Sequence, residues 1–469
     1  MNYSIPEHYE TRLHHVRPRF KNNIEDVLLY MASEIQCIGK MEHDGFKACL
    51  NNAIRRFPGN FSAAEKTINN WRTEISSLLG LIRTEDGFSY PSAMSEQLTK
   101  KQDLTEFFKF FCFKFQYPGG HLKPAEIKWM LDEGIKFKPA KYILSVLHLA
   151  TVENGNRIGL TKMEVTHCIF NDLRVIRDNR SPQDTLSLIL DNRAKELTYE
   201  SGGDVVRYAG DILDYMELAN LVTLKPNGMY YLETSHVEVI ASFLNSECYF
   251  EPYEPLYSTL NVTLNQIKET MSAWFDYVNQ DLDGSLFETD IAMLFGDNLQ
   301  IDADEASQQL STYLVSLQSG GSNVTTKQIG DTGEAIAIRH EYVRLEALDR
   351  SDLARKVIKI PEKQAVGYDL HSYSGEGLTK RFIEVKTTIS RKRTTIKRFQ
   401  MTPNEWSSAE QFGDDYYIYR LSLSTQGVRL FVISNPVENY KNDNLTLTIN
   451  QGAAITYSDN SGCYEDLLV

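Results

Sequence analysis

Twice in the first half of this chain a helical spacing of apolar residues gives way to a tight pair of short strands. Ser62-Ala63-Ala64-Glu65 reads as a capping box that launches a helix through Trp71, Ile75 and Leu79. Leu81-Ile82-Arg83, the turn Thr84-Glu85-Asp86-Gly87 and Phe88-Ser89-Tyr90 follow it. The same layout returns as a helix over about 204–218, then Leu221–Leu224, the turn Lys225-Pro226-Asn227-Gly228 and Met229–Leu232. Between the copies, Thr161-Lys162-Met163-Glu164 forms another capping box, which starts a helix through Ile169 and Leu173 and suggests a further helix-turn-helix element.

Ser319-Gly320-Gly321-Ser322, continued to Gly330, predicts a flexible linker over 319–330. Everything after it reads as one α/β unit. A helix spans about Thr332–Ala347, and strands follow at Lys356–Ile360, Val366–Ser372 and Arg381–Thr388. After a basic loop come the short strand Phe399-Gln400-Met401 and a helix with Thr402 as its cap, Pro403 at its first position and Glu405 completing a capping box. Two apolar strands, Tyr416–Leu423 and Val428–Ile433, close the unit.

A helix followed by a tight hairpin is the pattern of a winged helix, which sets a helix in the major groove and a hairpin against the backbone. The expected organisation is a winged-helix DNA-binding region at 1–120 and a second at 121–250. An acidic helical connector at 251–318, the linker at 319–330 and the α/β domain at 331–469 complete it. Lys66, Asn69, Asn70, Arg72 and Arg83 are the candidate DNA contacts of the first copy, with Arg55 and Arg56 on the preceding helix. Helix-plus-hairpin units also build protein-interaction modules, so the pattern by itself leaves both open.

Charge bears on that choice through its distribution. The 469 residues carry a net charge of −14, which taken alone argues against a nucleic-acid partner. Yet the acids crowd between Glu251 and Glu305, where Lys268 stands alone against them, while Lys380, Arg381, Lys386, Arg391, Lys392, Arg393, Lys397 and Arg398 cluster around the single acid Glu384. Local patches, not net charge, govern phosphate binding. The six cysteines are scattered without a Cys-x-x-Cys pair, which argues against structural zinc and a disulfide framework. No apolar run approaches the roughly 18 residues of a membrane helix, and Met1 opens a polar segment, so a cytoplasmic protein is expected. Neither a phosphate-loop motif nor a dinucleotide fingerprint is present, which excludes a nucleotide-driven translocase and a self-contained methyltransferase.

The chemistry concentrates in Gly367-Tyr368-Asp369 and, a hairpin interval later, Glu384-Val385-Lys386. Alternate strand residues share a face, so Glu384 and Lys386 point the same way. Two carboxylates converging from neighbouring strands can hold a divalent cation, and an ammonium beside them can orient a water or quench phosphate charge. Arg391, Lys392 and Arg393 lie in the following loop, where they suit either a strand clamp or a solvated tip. Glu341, two turns from Glu334, reads as solvated or supporting, and Glu405 as a capping residue alone.

With the helix bearing Glu334, these residues resemble the PD-(D/E)XK nuclease superfamily. Gly330-Asp331-Thr332-Gly333-Glu334, Gly367-Tyr368-Asp369-Leu370, Ile383–Thr388 and Met401-Thr402-x-x-Glu405 look more narrowly like the nuclease-like domain at the C-terminus of NO VEIN proteins, over about 327–436. The resemblance implies that Asp369 and Glu384 bind Mg²⁺ with the Val385 carbonyl as a further ligand. It also implies that Lys386 positions or polarises the attacking water, and that Glu334 completes or supports the site. Tyr368 stands where the superfamily motif has proline. Asn70-Trp71-Arg72 with Leu79-Gly80-Leu81-Ile82, and the aromatic run Phe110–Gly120, resemble the DNA-recognition region of type IIS-like restriction endonucleases, the run looking like a connector between modules, while local aromatic packing also accounts for Phe110–Tyr117. Asn279–Asp290 is similar to a calcium-binding EF-hand loop, but Asn at its first position, Phe at its ninth and Asp at its twelfth favour a plain turn between helices.

The fold class expected is therefore multidomain: a mostly α N-terminal half with winged-helix modules and a C-terminal α/β PD-(D/E)XK domain. The function expected is a Mg²⁺-dependent endonuclease that binds double-stranded DNA, pairs with a second copy for double-strand cleavage and relies on a separate methyltransferase for protection. A DNA-binding regulator or defence sensor using the domain as an interaction module, and an RNase of the same fold, are the alternatives.

Overall fold

The computed structural model describes residues 2–13, 20, 24–153, 158–202, 207–259, 261–280, 287–289, 291, 294, 308–310, 312–314, 329–361, 364, 366–449 and 453–469. Most of the expected linker, 319–328, and the loop at 281–286 lie outside the described residues.

The first repeat runs α1 (Ile24–Ile38), β1 (Met41–Glu42), α2 (His43–Arg56), α3 (Glu65–Thr73), β2 (Ile82–Glu85) and β3 (Phe88–Pro91). Then come α4 (Ala93–Lys101) and α5 (Leu104–Lys114). The second repeat runs α6 (Pro139–His148), β4 (Leu160–Thr161), α7 (Lys162–Val165), α8 (Arg207–Leu218), β5 (Val222–Leu224) and β6 (Met229–Leu232). In each copy the short strand after the first helix pairs with the last strand of the copy. Met41 lies opposite Ser89 in the first, and Leu160 opposite Tyr230 in the second.

Two caps differ in outcome. Thr161 Oγ1 accepts from the Glu164 N–H and Glu164 returns the bond to the Thr161 N–H, as the capping box requires. The α-helical turn it starts passes at Thr166 into a π-helical stretch ending at Phe170, and Asp172 then caps a new helix, its carboxylate accepting from the Arg174 N–H. Ser62 does not cap α3, which starts at Glu65 with Ala64 as its N-cap. The Asn60 amide donates to the Ile54 carbonyl, and the Ala63 N–H to the Asn60 carbonyl, drawing Ser62 into a turn after α2.

The aromatic run is not a connector. Phe107, Phe108, Phe110, Phe111, Phe115 and Tyr117 are all buried on or just after α5, and so are its Thr105, Glu106, Lys109 and Lys114, as in a helix covered all round.

The C-terminal segment begins with α9 (Ile329–Ala347), followed by β7 (Ile358–Lys359), β8 (Leu370–Tyr373), β9 (Lys380–Ile389), β10 (Arg398–Met401), α10 (Pro403–Phe412), β11 (Tyr416–Ser424) and β12 (Gly427–Ser434). Three strands that no sequence pattern had suggested follow: β13 (Leu445–Ile449), β14 (Ala453–Tyr457) and β15 (Cys463–Glu465). A six-stranded mixed sheet has the order β15-β12-β11-β9-β8-β7, with β9 and β11 parallel. A smaller sheet has the order β10-β14-β13. Period-two alternation divides the large sheet's side chains between two cores. Ile383, Tyr419 and Leu421 pack with Ile336 and Ala337 of α9. Tyr416, Ile418 and Phe431 pack with Phe399, Met401 and Ile455 of the smaller sheet. Each such Ile or Leu withdrawn from water contributes about 1.5–3 kcal/mol.

The chain divides into two compact units. One comprises 1–19, 64–86 and 106–287; the other comprises 20–63, 87–105 and 288–469. The second therefore holds α1, α2, β1, β3 and α4 together with the whole mixed-sheet segment, while α3 and β2 belong to the first. Among the described residues no helix is long and apolar enough to cross a membrane.

Candidate active site

Asp369 stands one residue ahead of β8 and is held from both sides by its backbone. Its N–H donates to the Ile383 carbonyl (2.9 Å) and its carbonyl accepts from the Ile360 N–H (2.8 Å). Its carboxylate accepts from the Val385 N–H at 2.7 Å. Along a strand the N–H and C=O of one residue point to the same side, so the Val385 carbonyl faces the Asp369 side beyond the end of β8.

Gly367 makes this placement possible. Its φ is +77°, and a Cβ there would lie 2.5 Å from Ser408 Oγ and 2.6 Å from the Asn404 carbonyl. Only glycine lets α10 close on the segment leading to Asp369. Ser408 Oγ donates to the Val366 carbonyl (2.7 Å), and the buried Tyr416 hydroxyl donates to the Gly367 carbonyl (2.9 Å).

Glu384 and Lys386 share a face of β9, as strand alternation predicts. The Lys386 ammonium donates to Glu384 Oε1 at 2.7 Å and to Glu405 Oε2 at 2.8 Å. Glu405 is the third residue of α10, and the same Oε2 accepts from the Thr402 N–H at 3.1 Å. The capping box thus aims Glu405 into the site. Its assignment to capping alone is corrected here.

One ammonium faces three carboxylates in a buried place. Burial pushes Asp369 above the usual carboxylate range despite the bond from the Val385 N–H and the Lys386 charge. Burial also raises Glu384 well above its ordinary value; Lys386 opposes the rise, and Asp369 and Glu405 add to it. Lys386 goes the other way: burial disfavours its charge, but Glu384 and Glu405 outweigh that, so it is held protonated more firmly than a free lysine. Tyr416 is raised by burial and by the same three acids. Three carboxylates thus share the one ammonium of Lys386, and the raised values of Asp369 and Glu384 show that burial and mutual repulsion favour their neutral forms.

Glu334 enters at one remove. It pairs with Lys359 of β7 at 2.8 Å, and the Lys359 charge in turn favours ionised Asp369. Among the described residues no three His, Cys, Asp or Glu side chains form a ready cation cage. The oxygen donors present, the Asp369 and Glu384 carboxylates and the Val385 carbonyl, are the kind a hard divalent cation takes.

Glu341 is neither solvated nor part of this cluster. Fully buried on α9, it accepts from Arg344 (2.9 and 2.6 Å), Ser372 (2.6 Å) and the Tyr419 hydroxyl (2.5 Å). Burial would raise its pKa, but Arg344 and Arg381 outweigh that and hold it below the usual range.

The expected DNA contacts fall in two places. Lys66 and Asn69 are exposed on α3, and Arg72, one further step along that face, donates to Asn69 Oδ1 at 3.0 Å. Asn70 is half-buried, and Arg83 pairs with Asp276 at 2.5 Å. In the other unit Arg391 is buried, Lys392 is exposed, and the Arg393 N–H donates to Gln426 Oε1 at 3.0 Å. The loop from β9 leads into a different sheet and is not a hairpin tip. Burial of Arg391 and Arg398 removes both from the solvated surface.

Comparison with known proteins gives two family matches. The family described as restriction endonuclease BpuJI, N terminal, matches residues 3–275. The family described as protein NO VEIN, C-terminal, matches residues 333–433, which include Glu334, Asp369, Glu384, Lys386 and Glu405. The crystal structure of pyrene- and phenanthrene-modified DNA in complex with the BpuJ1 endonuclease binding domain is similar over 59% of this chain and 100% of its own. Its sequence identity is 24% and its TM-score 0.52, a likeness of fold. Restriction endonuclease FokI bound to DNA aligns with 80% of this chain and 76% of its own at 12% identity, but a TM-score of 0.18 supports no inference. No curated protein sequence matches the chain.

Proposed function

Because this chain belongs to the family of the N-terminal region of restriction endonuclease BpuJI, we propose that it is a Mg²⁺-dependent DNA endonuclease with separate reading and cutting parts. Winged-helix modules built on the two helix-and-hairpin repeats read double-stranded DNA, and the C-terminal mixed sheet is a PD-(D/E)XK domain that hydrolyses phosphodiesters. The observation that carries the catalytic half is the buried cluster of Asp369, Glu384 and Glu405 around the single ammonium of Lys386. Buried acids that outnumber their cations are relieved either by protonation, which their raised values favour, or by a bound cation.

In this reading Asp369, Glu384 and the Val385 carbonyl hold Mg²⁺. When bound, the cation supplies Lewis-acid stabilisation of charge on the phosphoryl oxygens. Lys386, held protonated by its two acids, donates hydrogen bonds: it orients a water for in-line attack on phosphorus, or steadies a phosphoryl oxygen, and does not accept the water's proton. Glu405 keeps Lys386 on station, and Glu334 acts through Lys359. The DNA seen with the BpuJ1 binding domain supports DNA as this chain's partner, with Lys66, Asn69, Asn70, Arg72, Arg83, Lys392 and Arg393 as contacts to test and Arg391 supporting its loop. One such site cuts one strand, so double-strand scission requires two copies, and protection of host DNA falls to a separate methyltransferase.

The test is cleavage of supercoiled plasmid with Mg²⁺ and with EDTA, comparing wild type with Asp369→Ala and Lys386→Ala. Mg²⁺-dependent nicking or linearisation by wild type and its loss in both variants is the expected result. Undiminished cutting by the variants would overturn the site, whereas DNA binding without cleavage of DNA or RNA by wild type would make the domain an interaction module.

A further inference from the structure

The strand that carries Lys386 is held by a residue nearly three hundred positions earlier in the chain. Gln102 follows α4 in the left-handed conformation (φ +50°), with its N–H donating to the Leu98 carbonyl at 3.0 Å. Its side chain is buried. Gln102 Oε1 accepts from Arg420 Nη2 at 2.6 Å and from the Thr388 hydroxyl at 2.5 Å. Its Nε2 donates to the Arg398 carbonyl at 3.2 Å, and its own carbonyl accepts from the Ile389 N–H at 3.1 Å.

Arg420 completes the link. It lies opposite Lys386 in the parallel pairing of β9 and β11, and its Nη1 donates to the Lys386 carbonyl at 3.0 Å. Arg420 is buried, and among the described residues no carboxylate pairs with it. A buried guanidinium with neutral partners costs desolvation that a carboxylate would offset, so hydrophobic packing or an ordinary ion pair would serve stability better at this position. What the arrangement does achieve is fixation of the Lys386 main chain by a rigid, forked donor. Gln102 Oε1 and the Thr388 hydroxyl then hold the Nη2 end of that donor.

We propose that Gln102 and Arg420 are positioning residues that set the main chain of Lys386, so that its ammonium lies between Glu384 and Glu405. The cutting site is then completed by the segment after α4, which the fold places in the same compact unit. This rests on the nuclease reading of the Lys386 cluster.

The experiment uses the full chain with Gln102→Ala and Gln102→Glu. The first removes both the acceptor and the Nε2 donor, and the second keeps an oxygen for Arg420 and Thr388 while giving up the bond to the Arg398 carbonyl. Gln102→Ala should lower kcat for plasmid cleavage on the order of 10²-fold, as a small misplacement of a catalytic group does, with KM unchanged. Gln102→Glu should recover most of the loss. In parallel, reductive methylation followed by mass spectrometry should show Lys386 modified faster in Gln102→Ala and protected again in Gln102→Glu. Cleavage by Gln102→Ala within about twofold of wild type, or equal losses in both variants, would overturn the proposal while leaving the nuclease reading intact. If wild type cuts nothing, the methylation rates still decide: unchanged protection of Lys386 in Gln102→Ala sinks the positioning role by itself.

Discussion

Glu341 and Glu384 are both buried carboxylates of the mixed-sheet segment, both touched by a basic side chain, and they behave in opposite ways. Glu341 has two arginines and two hydroxyls to itself, and its pKa falls. Glu384 shares one ammonium with Glu405 beside a third acid, and its pKa rises well above the ordinary value. Burial is common to both, so it cannot be what separates them. The difference is whether the local cations match the local acids. A matched acid serves the fold, whereas acids that outnumber their local cations have shifted pKa values of the kind that mark candidate functional sites.

The largest effect should come from breaking the matched site. Glu341→Ala leaves Arg344 and Arg381 without their carboxylate and should destabilise the chain by about 3–5 kcal/mol in denaturant unfolding; a loss below about 1 kcal/mol would erase the contrast. Glu384→Gln should do the reverse, holding or raising the melting midpoint while cutting Mg²⁺-dependent cleavage on the order of 10²–10³-fold. If it unfolds the protein as Glu341→Ala does, the surplus-charge account is wrong.

Mg²⁺ itself should sharpen the comparison. At a concentration of roughly one hundred times its dissociation constant it should stabilise wild type by about 2.7 kcal/mol, reversibly with EDTA. Glu341→Gln should keep that response, and Glu384→Gln should lose it. The smallest effect expected is on pH. Glu384 and Asp369 have raised values, so protons compete with the cation at higher pH than for ordinary carboxylates, and the acid limb of cleavage should move to lower pH as Mg²⁺ is increased. Glu341 has a lowered value, so its contribution to stability is present above the ordinary glutamate pKa and is lost as pH falls through its lowered one. An acid limb unmoved by Mg²⁺ would detach Asp369 and Glu384 from cation binding.

Several elements were legible because local rules decide them. The strand alternation that put Glu384 and Lys386 on one face and the capping box at Thr402 each depend on residues within a few positions. The strand expected over Val366–Ser372 starts only at Leu370, because Gly367 turns at φ +77° where α10 closes on it. The same reasoning stopped at Glu405, whose capping role was plain and whose contact with Lys386 was not, since that contact needs α10 folded back onto β9. It misread Ser62 because the turn after α2, set by Asn60, competes for the same residues. It left Phe110–Tyr117 open between a connector and local aromatic packing, and burial decides for packing, because aromatic content alone does not reveal what will cover it.

The sequence by itself determined which acids and which lysine share a strand face and which short elements present them, because both follow from side-chain type and the periods of strand and helix. Tertiary structure alone decided which charges balance. Glu341 and Glu384 are the same side chain on adjoining elements, and only the packing of α9, β8, β9 and β11 gives one its arginines and hydroxyls while that of α10 gives the other a rival for its single lysine. Gln102 makes the point at longest range: no local rule joins it to Lys386, because the hydrogen bonds between them exist only once distant segments share one core.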